Sequence, residues 1–298
     1  MIYTITFNPA LDCTFYASSI TLGTLNRISR SQVTAGGKGI NVSLVLSNLG
    51  VENTALGFVG GFTGAEITRQ LNVAKCNTDF VNVKNGDSRI NVKINADTKT
   101  ELNAEGPVIT PDELAEFMYK LDKVKDEDYV VLSGSIPKGL TPSVYSQILD
   151  ALQTKKVKTV IDTSGALLKE CLEYQPFLVK PNIYELGELF DVEIESDDDV
   201  IKYASFLQDV GAQNVLVSMG KNGAILLDES GSVHRMVAPE ISFVNAVGSG
   251  DSMVAGFIAS FIKDGDYAQA LKYAVACGTA TASMEGLATK DAIQIFLD

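Results

Sequence analysis

Short apolar runs alternate with stretches of helical periodicity along this chain, and that alternation restricts the fold more than any other feature of the sequence. The runs at 2–7, 55–59, 129–133, 157–162, 177–180 and 215–218 are bounded by turn residues and predict strands. Several are apolar at successive positions, as in Tyr129-Val130-Val131-Leu132, which suits a sheet covered on both faces. Helical patterns fill the intervals at 40–49, 65–73, 111–123, 142–153, 182–190 and 197–210. Pro111 and Pro142 each follow a threonine, as in a helix with a threonine N-cap and proline in its first turn. Strand, helix, strand repeated in this way predicts an α/β fold with a largely parallel sheet.

Two regions depart from that rhythm. Residues 89–95 alternate strictly between apolar and polar, so they read as a strand with one wet face. Residues 14–20 and 27–33 also look extended, with polar residues interleaved. Together they predict a small second sheet: a lid, a dimer surface, or an extension of the main sheet's edge. The C-terminal part reads as two helices, 251–262 and 267–284, whose Ala, Gly, Ser and Thr allow close mutual packing.

Composition narrows the function. The 298 residues are 46% apolar, without low-complexity tracts or long charge blocks, which predicts one compact unit over 1–298. A formal charge of −13 repels phosphate backbones and argues against nucleic acid as a partner. No basic segment followed by an apolar stretch opens the sequence and no apolar run is long enough for a membrane span, so no membrane association and a cytoplasmic location are expected. Cys13, Cys76, Cys171 and Cys277 are scattered and expected to be reduced thiols. His234, the only histidine, cannot by itself build a histidine metal site or a Ser–His–Asp triad and is expected to be structural.

Five motifs carry chemistry. Asn245-Ala246-Val247-Gly248-Ser249-Gly250-Asp251 precedes a predicted helix. Backbone amides and the helix dipole there would form an anion hole, and Asp251 beside it is either a base for phosphoryl transfer or a helix N-cap. Gly36-Gly37-Lys38-Gly39-Ile40-Asn41-Val42 offers a flexible turn, a point charge in Lys38 and an amide in Asn41, or is an ordinary glycine turn. Asp12, just past the first strand, is placed to accept hydrogen bonds from sugar hydroxyls or to close a turn. Asn182 and Glu185, after Lys180-Pro181, share a helix face and suit Mg²⁺ held mostly through water, or form a capping box. Ser218-Met219-Gly220-Lys221-Asn222-Gly223 is a nucleotide cradle or a plain hairpin turn. Neither G-x-x-x-x-G-K-[ST] nor G-x-G-x-x-G is present, which disfavours a P-loop NTPase or a dinucleotide-binding unit.

In this order the motifs resemble the ribokinase-like (PfkB-type) sugar kinases over nearly the whole chain, with Gly36–Val42 and Gly248–Asp251 as the two signatures. The resemblance implies a three-layer fold with a mostly parallel central sheet flanked by helices, and a small β-sheet lid built from about 13–34 and 87–104. It implies an ATP-dependent kinase with Mg²⁺, acting on a small sugar phosphate. Segments Arg89-Ile90-Asn91-Val92-Lys93 and 100–107 point to phosphorylation of the 6-hydroxyl of fructose 1-phosphate, with tagatose 6-phosphate or fructose 6-phosphate as the alternative acceptor and a silent sugar-phosphate sensor as a remote one. By the same resemblance Asp251 is the base, and Gly248, Ser249 and Gly250 form the anion hole. Asp12, Gly37 and Asn41 hold the sugar. Lys38, Arg27 and Arg89 bind its phosphate, with Ser135 nearby. Lys180, Asn182 and Glu185 serve Mg-ATP, Glu185 through water, while Ser218, Gly220 and Gly223 line the nucleotide site. In many members such lids pair two subunits, which implies a homodimer through the lid. Leu44, Asn245 and Ala246 depart from the commonest family pattern.

Overall fold

The computed structural model describes residues 1–297. The chain opens with β1 (Ile2–Thr6), β2 (Ala10–Tyr16) and β3 (Arg30–Gly36), followed by α1 (Lys38–Asn48), β4 (Asn53–Gly60) and α2 (Gly61–Val73). Short β5 (Asn77–Thr78) and β6 (Val81–Val83) lead to β7 (Arg89–Asn95), β8 (Lys99–Asn103) and α3 (Pro111–Lys120). The middle runs through β9 (Tyr129–Ser133), α4 (Val144–Leu152), β10 (Lys158–Asp162), α5 (Gly165–Leu172), β11 (Leu178–Val179), α6 (Ile183–Phe190), α7 (Asp197–Asp209) and β12 (Asn214–Ser218). An antiparallel pair, β13 (Ala224–Leu227) and β14 (Val233–Met236), precedes α8 (Ser249–Asp264), α9 (Tyr267–Ala282) and α10 (Lys290–Gln294).

The main sheet has the order β14-β13-β12-β11-β10-β9-β1-β4-β5, with β6 also pairing to β4. It is parallel from β5 to β12 and antiparallel only at the β12–β13–β14 edge. One face packs against α3 to α7 through Phe117, Tyr145, Ile148, Leu168, Leu186 and Val200. The other packs against α1, α8 and α9 through Val42, Leu46, Val254, Phe257, Ile258 and Leu271. Helices on both faces explain why the strands are continuously apolar, and the result is the expected three-layer α/β sandwich. The small-residue helices do meet closely: a Cβ on Gly256 would lie 2.6 Å from Cys277 Sγ and 2.7 Å from the Tyr273 carbonyl oxygen.

The outlying strands form their own four-stranded sheet, β3-β2-β7-β8, so they are not an edge extension. Its strands occupy Ala10–Tyr16 and Arg30–Gly36 rather than 14–20 and 27–33, because β2 begins as soon as the chain leaves the main sheet. Boundaries shifted elsewhere too. Thr110 caps α3 through a capping box with Glu113 and Pro111 in the first turn. Thr141, by contrast, caps nothing: its hydroxyl pairs with Ser143 Oγ at 2.6 Å, and α4 begins only at Val144. The four thiols are free, and no helix among the described residues is long and apolar enough to cross a membrane.

Candidate active site

The C-terminal ends of β9 and β10, the start of α1 and the start of α8 converge on one buried group of charges. Asp162, the last residue of β10, is 1% exposed. Its Oδ1 accepts from Lys38 Nζ and Lys180 Nζ, each at 3.3 Å, while Oδ2 has no partner. Burial alone would raise its pKa, but Lys180 and Lys38 outweigh that and hold the carboxyl below its usual range. Lys38 is partly desolvated, yet Asp162, Asp251 and Glu185 keep its ammonium charged, with its pKa raised.

Asp251 faces this group from α8. The helix has Gly248 as its N-cap, at φ 82°, a left-handed conformation that favours glycine; a Cβ there would also meet Leu287 Cδ2 at 2.5 Å. Asp251 is therefore the third helical residue and not the cap, which removes the N-cap reading. Its Oδ2 accepts from Asn41 Nδ2 at 2.7 Å. Burial, with the charge of Asp162 behind it, pushes its carboxyl up to about 7, against the opposing pull of Asn41, Lys38 and Lys180. The amides of Gly250 and Asp251 have no acceptor among the described residues, and the buried Ser249 hydroxyl is also unpartnered. Lys180 Nζ lies 3.2 Å from where a Cβ of Gly250 would sit, so an ammonium, free amides and a helix dipole share one spot. That arrangement of amides, ammonium and helix dipole favours a polyanion.

Asn182 and Glu185 form the capping box of α6: Asn182 Oδ1 accepts from the amides of Tyr184 and Glu185, each at 2.9 Å, and Glu185 Oε2 accepts from the Asn182 amide at 2.8 Å. That explains the pair structurally and leaves Glu185 Oε1 for another partner. Asn182 bridges to Ser218, the last residue of β12. The 218–223 segment is the hairpin turn joining β12 to antiparallel β13. Gly223 is packed against the Met236 carbonyl, whereas a Cβ on Gly220 would meet open space.

On the other side of Asn41, a cavity of about 510 Å³ separates the small sheet from α1 and the 244–247 and 285–287 segments. Asp12, on β2, lines it; Asp12 Oδ1 accepts from Asn91 Nδ2 at 3.0 Å and Oδ2 from Lys93 Nζ at 2.7 Å. Gly36 packs on this carboxylate, 2.7 Å from Oδ2 to the position of a Cβ. Arg30 closes one flank, donating to both oxygens of Glu285 at 2.8 and 2.9 Å and stacking on Tyr16 at 4.1 Å.

The residues expected from sequence thus divide. Lys38, Asn41, Lys180 and Gly248–Asp251 come together, with Gly37 as the N-cap of α1 and Asn182 and Glu185 near them. Asp12 joins Asn41 on the cavity wall. Lys38 and Arg89 are not on that wall; Arg89 Nε donates to the Asn8 carbonyl at 3.1 Å. Arg27 and Ser135 are exposed in loops, and Arg27 has no partner among the described residues. Sequence reading missed Asp162, Asn91 and Lys93. A carboxylate ending a buried parallel strand was the available signal for Asp162. The polar face of 89–95 was the signal for Asn91 and Lys93. Two of the three departures have local explanations: Leu44 packs on the Leu11–Ile40–Ile67 cluster, and Asn245 Oδ1 accepts from the Val247 amide at 3.1 Å, shaping the turn into Gly248, while nothing in the structure explains Ala246. His234 pairs with Asp228 at 2.7 Å on the β13–β14 edge, a structural role.

Residues 6–293 match the profile described as pfkB family carbohydrate kinase. The chain is 41% identical over 297 residues to a 1-phosphofructokinase of Bacillus subtilis, covering 100% of this chain and 97% of the relative. It is 36% identical to a D-tagatose-1-phosphate kinase of Bacillus licheniformis, covering 96% and 94%. Among solved structures it is similar to Escherichia coli phosphofructokinase-2 in complex with substrates and products, at a TM-score of 0.94 and 28% identity, covering 99% and 98%.

Proposed function

The chain belongs to the pfkB family of carbohydrate kinases, and from that premise we propose that it transfers the γ-phosphoryl group of ATP to the 6-hydroxyl of fructose 1-phosphate, giving fructose 1,6-bisphosphate. The observation that carries this reading is Asp251: a buried carboxylate in the first turn of a helix, tuned towards neutrality, beside free amides and two ammoniums.

In this reading Asp251 takes the proton of the attacking hydroxyl, while Asn41 fixes which oxygen faces it. The Gly248–Gly250 segment and the dipole of α8 offset charge on the equatorial oxygens of the transferring group. Lys38 and Lys180, held by Asp162, supply fixed positive charge at the same place. Lys180, Asn182, Ser218, Gly220 and Gly223 form the nucleotide side. Mg²⁺ would be held through water by Glu185 and would neutralise the nucleotide phosphates; the free Glu185 Oε1, the unpartnered Asp162 Oδ2 and the lack of any cluster of three metal-ligating side chains among the described residues fit an ion coordinated mostly by water and phosphate. Asp12, Gly37 and Asn41 hold the sugar. Arg27, Arg89 and Ser135, expected at its phosphate, lie off the cavity wall, with Arg89 Nε given to the Asn8 carbonyl, so they would serve only the far end of the substrate beyond that wall. The small sheet acts as a lid, and its outer face at Leu102, with the exposed Leu22 and Leu25 of the loop between β2 and β3, is the surface for a second copy of the chain. Cytoplasmic action is part of the same reading.

The similarity to a tagatose-1-phosphate kinase favours one alternative acceptor, tagatose 1-phosphate, over the 6-phosphates expected from sequence. Measuring kcat/KM for fructose 1-phosphate, tagatose 1-phosphate, fructose 6-phosphate and tagatose 6-phosphate decides it. The highest value is expected for fructose 1-phosphate; a preference for a 6-phosphate, or no turnover of any, rejects the proposal.

A further inference from the structure

The cavity beside Asp12 presents a problem for any anionic sugar. Asp12 is a carboxylate with only 14% of its side chain exposed, aimed at the place where a phosphorylated substrate is proposed to bind. Left alone it would repel that substrate, because like charges at short range are only weakly screened beside a carboxylate this little exposed. The cations that sequence reading assigns to the sugar phosphate do not answer it. Lys38 is committed to Asp162, and neither Arg27 nor Arg89 lines the cavity.

Lys93 does. Its ammonium lies 2.7 Å from Asp12 Oδ2, with 18% of the side chain exposed, so it is neither a surface charge nor sealed from the cavity. The remaining charges on the wall balance only with it in place. Asp12 and Glu101 are set against Lys93 and Lys99, while Glu285 is already answered by Arg30. Glu101 stands opposite Lys93 in the β7–β8 register, so Lys93 lies between two carboxylates. Removing Lys93 turns a balanced wall into a net negative one.

We propose that Lys93 determines acceptance of a phosphorylated sugar over its unphosphorylated counterpart, by neutralising Asp12 and offering an ammonium to the anionic acceptor. Lys93 has two other donor hydrogens besides the one given to Asp12, so it can hold the pair and still meet the substrate. Asp12, freed of net charge by its neighbour, keeps lone pairs for sugar hydroxyls. This inference rests on the sugar-phosphate kinase reading above.

The test compares kcat/KM for fructose 1-phosphate and for free fructose in the wild type, Lys93→Met and Lys93→Arg. Loss of a hydrogen bond to a charged group predicts a fall of about 10- to 100-fold for fructose 1-phosphate in Lys93→Met, mainly in KM. The value for free fructose is expected within about threefold of wild type, as is KM for ATP. Lys93→Arg should keep most of the discrimination, since it keeps the charge. A ratio of the two sugars within about threefold of wild type in Lys93→Met overturns the proposal. So does an equal loss for both sugars, the signature of a purely structural ion pair. If Lys93→Met does not fold, Lys93→Gln is judged by the same ratio. A wild type that turns over no sugar phosphate rejects the kinase reading itself, whereas an active wild type with an unchanged variant rejects only the role of Lys93.

Discussion

Asn41, on the first turn of α1, donates its side-chain amide to Asp251 Oδ2 at 2.7 Å and so joins the two glycine-rich segments that lie 210 residues apart in sequence. The bond favours the ionised carboxylate, in opposition to burial and to Asp162. Replacing Asn41 by Leu is therefore predicted to raise the apparent pKa on the acid limb of the kcat/KM profile. That limb should lie near 7 in the wild type and reports the coupled carboxylates together. A profile measured between pH 5 and 9 checks it; an unchanged or lowered acid limb contradicts the assignment.

The same shift has a stability consequence. An aspartate raised above its unfolded value gives the fold a proton that the unfolded chain lacks. Stability should fall as pH rises from about 4 to about 7, then stay at the lower level, a loss on the order of a few kcal/mol. Asp251→Asn removes this contribution. Its thermal midpoint without ligands should exceed the wild-type value at pH 8 and approach it near pH 4.

Asp162 works in the opposite sense. Its carboxyl is held below the usual range despite burial, because Lys180 and Lys38 share its Oδ1. Its contribution to stability is present above the unfolded carboxylate value and is lost as pH falls through the lower, folded one. Asp162→Asn leaves the buried Lys180 ammonium, and in part that of the more exposed Lys38, without its counter-ion and should cost roughly 3–5 kcal/mol near pH 7. Denaturant titrations at pH 7 and pH 3 check both the size and its decline with acid, and KM for ATP should rise in the folded fraction.

Gly256 is one of the places where α8 passes close to α9. A methyl group there has no room beside Cys277 Sγ and the Tyr273 carbonyl, so Gly256→Ala is expected to destabilise by about 1–3 kcal/mol. The displaced helix carries Asp251, so kcat should fall as well. Chemical unfolding and steady-state assays on one preparation report the two effects.

Much of this was readable in advance, and for a definite reason. Buried parallel strands such as β9 are uninterrupted apolar runs, so the layered fold follows from Tyr129-Val130-Val131-Leu132 and its counterparts. The start of α8 at Gly248 was legible because a glycine-rich turn ahead of a helical pattern marks a helix start, whereas the place of Asp251 in the first turn, not at the cap, was not. Strand β5 was not legible because it has only two residues, whereas the equally short β11 lies inside the apolar run read at 177–180. Lys93 was hidden for another reason: whether a polar residue on an alternating strand meets water or a carboxylate depends on which strand lies beside it. Only the β2–β7 pairing reveals that Lys93 belongs with Asp12.

The account depends most on Asp251 as the group that accepts the hydroxyl proton. Single-turnover phosphoryl transfer from ATP to fructose 1-phosphate at pH 8, with wild type and Asp251→Asn compared, addresses it without interference from product release. The predicted result is a rate about 10² to 10⁴ lower in Asp251→Asn, with both substrates still bound within a few-fold of wild type. A variant that folds, binds both substrates and transfers at a near wild-type rate would contradict the account.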